Sequence, residues 1–452
     1  MRIRALFLGL SLFFLLTACQ KGGETPLKKI QSIVTHPHWA AGATIYEVNI
    51  RQYTPEGTFN AFRSHLPRLK KLGVDILWLM PVQPIGIKNR KGSLGSYYSI
   101  KDYRAVNPEF GNSGDLKALI NEAHDLGMYV ILDWVANHTA WDHPWAQKHP
   151  GFYEKDKSGA FIPPVADWTD VISLDYDNKA MRDSMAAAMR FWLEEYNMDG
   201  FRCDVAEMVP LDFWDGLRPW LEEVKPVFML AEGETAILHN RAFDMTYSWK
   251  MFKTFNAIAR GKKKAAAIDE LLLEESRIYP PTALRMRFIT NHDENSWNGT
   301  IAERLGPAER AMAVLMCTLP GKPLLYSGQE AGNGKALRFF DKDTIEWRES
   351  PLTDFYAALF NSYRRHPALH KGDMKRLPLP GKPAVYAFLR QWKDEQVLVI
   401  VNLSGKRESF TFEGMTGISG TWRDIFSAET VIDPETHSWR LPPWGYVVGI
   451  LK

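Results

Sequence analysis

The sequence predicts an α/β chain: a (β/α)8 barrel with a short insertion after its third strand, followed by a C-terminal antiparallel β-sandwich. Three observations lead there. Apolar runs of strand length alternate with segments of helical spacing from Thr44 onward, and strand, helix, strand at that spacing implies parallel pairing with right-handed crossovers. Four of the runs end in carboxylates, histidine or asparagine, as in a barrel whose active site lies at the C-terminal ends of its strands. From about Lys375, the β-type runs 384–390, 396–402 and 408–412 follow one another without helices between them.

In chain order, the first strand is 44–49, and residues 59–72 have helical spacing that ends at Gly73. The second strand, 76–80, is closed by Pro81, and a long loop through Tyr97, Tyr98 and Phe110 follows. A helix over 116–126 leads into the third strand, 129–134. Residues 139–175, with Trp141, Trp145, Trp168, Pro163 and Pro164, form an irregular stretch too long for an ordinary βα loop. A helix over 181–196 precedes the fourth strand, which opens at Gly200. The fifth to eighth strands are expected at 227–231, 242–245, 287–290 and 323–326. The implied division is a catalytic barrel over 39–374, with the insertion 139–175 inside it, and a sandwich over 375–452.

Composition is that of an ordinary globular chain: 452 residues, 45% hydrophobic and 24% charged, ample for a core. A net charge of +2 gives no field for nucleic acid or a polyanion. The first 19 residues stand apart. Arg2 and Arg4 precede an apolar run over 5–16 that is too short to span a bilayer, so it reads as an export signal. Leu16-Thr17-Ala18-Cys19 resembles a bacterial lipoprotein box, with Cys19 as the lipidated residue; the plain alternative is a signal peptide with a chance cysteine. Gln20 after it fits the outer membrane of a Gram-negative cell, and the polar residues 20–38 suit a tether. The lipid is then the chain's only membrane contact. Cys203 and Cys317 lack metal-ligand spacing and read as buried free thiols.

The chemistry concentrates in Gly200-Phe201-Arg202-Cys203-Asp204-Val205-Ala206-Glu207. Arg202 and Asp204 are two apart, hence on one face of a strand, where the guanidinium favours an ionised carboxylate. A structural ion pair is the plain reading of that strand alone. Asp133-Trp134-Val135-Ala136-Asn137-His138, Leu230-Ala231-Glu232 and Thr290-Asn291-His292-Asp293 end three further apolar runs in the same manner. Together, in this order, the four stretches resemble the signature regions of the α-amylase family of glycoside hydrolases (family thirteen).

That resemblance implies retaining hydrolysis of α-glucosidic bonds, most often α-1,4, through a covalent glycosyl-enzyme intermediate. It makes Asp204 the nucleophile, Glu232 the general acid and then base, and Asp293 the stabiliser of the oxocarbenium-like transition state. Two such carboxyl groups stand about 5–5.5 Å apart in retaining enzymes. Desolvation after an apolar strand is expected to raise Glu232, while Arg202 keeps Asp204 ionised. Tyr98 falls where the family places a ring under the scissile sugar, although a packed loop aromatic is its plain reading. His138 and His292 would bond hydroxyls of that sugar, Asp133 would support Arg202, and Glu207 stands at the leaving-group side. The insertion would be a short domain B walling the cleft.

Two departures bear on function. Glu207-Met208 stand where many endo-acting members carry Lys-His. Of the family's calcium ligands Asn137 is kept, but Ser173 and Met208 occupy the other positions, and calcium wants about six to eight oxygens. No cofactor is therefore expected to be required. The expected partner is an α-glucan or malto-oligosaccharide. The same site could transfer the glucosyl group to another sugar or cut α-1,6 bonds or chain ends, and a retired barrel could merely bind glycans. The sequence leaves linkage, endo or exo cutting and oligomeric state open.

Overall fold

The computed structural model describes residues 31–412, 418–427, 431–432 and 438–451. The signal segment, Cys19 and the tether up to residue 30 lie outside the described residues. Eight of the described strands close into a parallel barrel: β1 (Ile45–Val48), β2 (Ile76–Leu79), β3 (Tyr129–Trp134), β6 (Gly200–Cys203), β7 (Phe228–Ala231), β8 (Met245–Tyr247), β9 (Leu284–Arg287) and β10 (Lys322–Tyr326). Around the barrel they run β1-β2-β3-β6-β7-β8-β9-β10 and back to β1.

The two-residue period of a strand decides what faces inward. Ile45, Ile76, Trp78, Ile131, Phe228, Leu230, Met245, Tyr247, Met286, Phe288 and Leu324 pack together as the barrel interior. One further inward step along β1, β3 and β6 reaches Glu47, Asp133 and Arg202, which are fully buried. The registers pair Glu47 with Trp78 and Asp133 with Arg202 across neighbouring strands. A layer of charge thus caps a layer of hydrocarbon.

The helices cover the outside for reasons visible in their ends. Helix Ser113–Asp125 starts at a capping box between Asn112 and Asp115 and buries Leu116, Leu119, Ile120 and Ala123. It begins earlier than the apolar spacing alone suggests, because the cap lies outside that spacing. Helix Lys179–Tyr196 is capped by Asn178 and ends on left-handed Asn197. The expected single helix over 59–72 is two, Phe59–Arg63 and Leu66–Leu72. Pro67 has no N–H to continue the ladder, so the chain breaks at Ser64 and His65.

Two strands sit three residues from their expected places. The sixth barrel strand is Met245–Tyr247 rather than 242–245. Phe243 packs onto Trp214, and Asp244 leads into the ladder: its N–H donates to Met229 O and its C=O accepts from Leu284 N, while its carboxylate accepts from Met229 N and Arg218. The seventh is Leu284–Arg287 rather than 287–290. Its last partner on β10 is Pro323, which offers no N–H, so pairing stops where the apolar run still continues.

The insertion is less irregular than expected. Its ends pair as an antiparallel ladder, β4 (His138–Ala140) with β5 (Val171–Ser173), which holds it at the barrel mouth. After helix Pro351–Arg365 come β11 (Asp373–Arg376), β12 (Val385–Trp392), β13 (Glu395–Asn402), β14 (Glu408–Phe410), β15 (Trp422–Asp424), β16 (Val431–Ile432), β17 (Trp439–Leu441) and β18 (Tyr446–Leu451). They form an antiparallel sheet β11-β12-β13-β18-β15-β16 and a pair β14-β17. Leu389, Leu398, Phe410, Trp422 and Trp439 pack between them. Cys203 and Cys317 are buried thiols.

Candidate active site

The strand ends converge on one buried cation. Arg202 Nη1 donates to Asp133 Oδ1 at 2.8 Å and to Asp204 Oδ1 at 2.9 Å. Its Nη2 lies 2.9 Å from Glu232 Oε2, off the N–H direction, so that contact is an ion pair and not an aligned hydrogen bond. The guanidinium also faces the rings of Trp78, Tyr98 and Tyr247 at 5.1–5.8 Å. A fully buried guanidinium is tolerable only with such partners, and removing it would leave carboxylates uncompensated.

The turn after β6 is what brings Glu232 to Asp204. Glu232 N donates to Cys203 O, and Ala206 N donates to Glu232 O. Between them Val205 adopts φ 37°, ψ 47°, a left-handed conformation that costs a β-branched residue on the order of 1–3 kcal/mol. In return its N–H donates to Glu232 Oε2 at 2.8 Å. Strain in one residue thus fixes one oxygen of the carboxylate.

A second cation lies across the mouth. His292 Nδ1 meets Glu47 Oε1 at 2.5 Å, and its Nε2 is 2.8 Å from Tyr98 OH and 3.3 Å from Asp293 Oδ2. Burial alone would lower the imidazole, but Asp293 and Glu47 outweigh it and push it to about 9. It is an imidazolium at neutral pH, with both nitrogens donating. His138 is the opposite case: burial lowers it to about 4 and it stays neutral. Asn137 donates to its Nδ1, leaving the proton on Nε2. Two histidines expected to do the same work carry different charge.

Glu47, Asp133, Asp204, Glu232 and Asp293 therefore surround Arg202 and His292, five carboxyl groups against two cations. Burial raises Asp204 well above the usual carboxylate range; Arg202 opposes this, while Glu232 and Asp133 add to it. Asp133 is raised by burial as well, with Arg202 and His292 opposing. Arg202, expected to keep Asp204 ionised, does oppose burial there, but its one guanidinium is divided among three carboxylates.

These groups face a cavity of about 550 Å³. Asp204, Glu232, Asp293, Tyr98, His138 and His292 line it, so the structure brings those expected residues together. Asp133 lies behind them, bonded to Trp78 Nε1 and Tyr98 OH. Glu207 does not line the cavity; its Oε1 accepts from Glu234 N and Thr235 N and pins the loop after Glu232. Tyr98 stacks with His292 and with Phe339. Trp168, from the insertion expected to wall the cleft, lines it too; Lys91, Trp297, Phe339 and Phe340 also line it and were not singled out from the sequence. Nor was Glu47, although it ends an apolar strand as the other carboxylates do.

Calcium does not fit the place the family resemblance suggests. Asn137 offers its amide oxygen alone, since its nitrogen donates to His138, and Ser173 and Met208 bring no carboxylate. Among the described residues no cluster of three His, Cys, Asp or Glu is placed to hold an ion.

The chain matches the alpha amylase catalytic-domain family over residues 34–164 and 165–368, and the maltogenic amylase C-terminal-domain family over 376–448. Alpha-amylase MalA of Haloarcula japonica is 27% identical over 414 residues, 87% of this chain and 59% of the relative. Alpha-amylase 2 of Dictyoglomus thermophilum is 25% identical over 448 residues, 90% of this chain and 75% of the relative. The crystal structure of the noncanonic maltogenic alpha-amylase AmyB from Thermotoga neapolitana superposes with a TM-score of 0.83 at 30% identity. That match covers 91% of this chain and 100% of the other.

Proposed function

The chain belongs to the α-amylase family of glycoside hydrolases, and from that premise we propose that it hydrolyses α-1,4-linked glucans and maltodextrins with retention of configuration. The observation that carries this reading is the sharing of Arg202 by Asp204 and Glu232 at the floor of a cavity that Asp293 also lines.

Asp204 attacks the anomeric carbon while Glu232 protonates the glycosidic oxygen, and the leaving chain departs. Water, deprotonated by Glu232, then releases the sugar from Asp204. The charge count supports this division. Five carboxyl groups around two cations favour retention of a proton. The aligned bond from Arg202 favours the anion on Asp204. On Glu232, Val205 N–H and Arg202 both occupy Oε2, which leaves Oε1 to carry the proton to the substrate. Asp293 and His138 hold hydroxyls of the same sugar, and Tyr98 supplies a ring beneath it.

The test is to incubate the protein with starch, pullulan, maltotriose, isomaltose and trehalose and to identify the products. Shorter maltodextrins of retained configuration are expected, and Asp204→Asn should remove activity on a chromogenic maltoside. Products longer than the substrate would mark transfer instead, and an active Asp204→Asn variant would refute the assignment. We also propose that Cys19 carries a lipid holding the enzyme at the cell envelope; Cys19→Ser should move it from the membrane to the soluble fraction.

A further inference from the structure

Lys91, Asp167, Trp168, Asp170 and Phe340 stand together in the wall of the cavity. In the barrel order β2 stands three strands from β7, so the loop after β2 crosses the far side of the mouth from the acid. Residues 90–95 of that loop are tied to both flanks. On the insertion side, Lys91 Nζ donates to Asp167 O at 2.5 Å and pairs with Asp170 Oδ1 at 3.3 Å. On the other, Leu94 N donates to Phe340 O at 3.0 Å, and Ser93 N and Oγ donate to Asp341 Oδ1 at 2.9 and 2.6 Å. Gly92, at φ 62°, passes so close to Phe340 that a Cβ would lie 2.5 Å from the Phe340 Cβ. Only glycine allows that approach. Lys91 Nζ itself sits 5.9 Å from the Phe340 ring, bridging the two flanks.

The general acid protonates the bridging oxygen, so the leaving chain exits on the side of Glu232. The part of the glucan bonded to Asp204 must then extend the other way, toward the strap. We infer that the strap of residues 90–95, closed by Lys91, makes this end of the cavity blind. The enzyme accordingly accepts the non-reducing end of an α-glucan and removes one or two glucose units, rather than cutting within the chain. This rests on the hydrolase reading above and specifies its substrate end.

Maltoheptaose labelled at its reducing end, given to the full-length protein and sampled in the first turnovers, tests the inference. The wild type should yield labelled fragments of five or six units. Lys91→Ala should raise labelled fragments of four units or fewer about tenfold, the scale of pocket-level discrimination. A wild type that yields every fragment length from the start refutes the blind end while leaving the hydrolase intact. A cleaving Lys91→Ala with the wild-type pattern refutes Lys91 as the closing residue. No cleavage by the wild type removes the hydrolase reading itself, and the inference with it. The wild-type pattern decides the matter even if Lys91→Ala fails to fold.

Discussion

Glu47→Gln removes one buried charge and little volume. Glu47 and His292 are both buried, with Nδ1 2.5 Å from Oε1. The displacement of His292 from 6.5 to about 9, in which Asp293 and Glu47 outweigh the lowering by burial, corresponds to roughly 3 kcal/mol of native stability. The native state holds this proton more tightly than the unfolded chain. Its contribution is therefore full below pH 6.5 and is lost as pH rises through about 9. Glutamine keeps an acceptor oxygen but leaves the imidazolium with Asp293, whose side chain is 35% exposed and partly screened. A loss of about 2 kcal/mol is expected at pH 6, shrinking to below about 0.5 kcal/mol at pH 10, where wild-type His292 is already neutral. Urea unfolding followed by tryptophan fluorescence at pH 6, 8 and 10 gives both values by linear extrapolation. Equal losses at all three pH values, or none at pH 6, would refute the assigned charge of His292.

Other predictions follow from the turn, the loop and the missing ligands. Val205→Gly should change stability by no more than about 1 kcal/mol, because relief of the left-handed strain offsets the lost side chain and the freer unfolded state; a calorimetric loss above about 2 kcal/mol would show that no strain is stored there. Glu207→Ala should lower kcat by about tenfold through loosening of residues 233–235, and Glu207→Gln, which retains an acceptor oxygen, should restore most of it; equal effects of the two would deny the positioning role. Dialysis against EDTA should leave both the melting temperature and activity unchanged, and a drop restored by calcium would overturn the misfit at Asn137, Ser173 and Met208.

The barrel was legible because burial on both faces of a parallel strand demands unbroken apolar runs, and period two then marks which residues end inside. Asp133, Arg202, Asp204 and Glu232 could each be placed at a strand end from local pattern. The misplaced sixth and seventh strands show where that reasoning stops: an apolar run begins before the paired strand at Ala242 and Phe243, and another continues past the last pair at Pro323. A hydrophobic run records burial, whereas a strand requires a partner with donors and acceptors in register.

Local sequence determined which side chains reach the barrel mouth, since that depends only on strand period and on where each apolar run ends. Tertiary structure decided their charge and enclosure. Glu47 meets His292 across 245 residues of chain, and the Lys91 strap joins loops from three parts of it. Whether a histidine is protonated or a cleft is closed depends on the distance and desolvation of groups remote in the chain, and no spacing along the sequence encodes either.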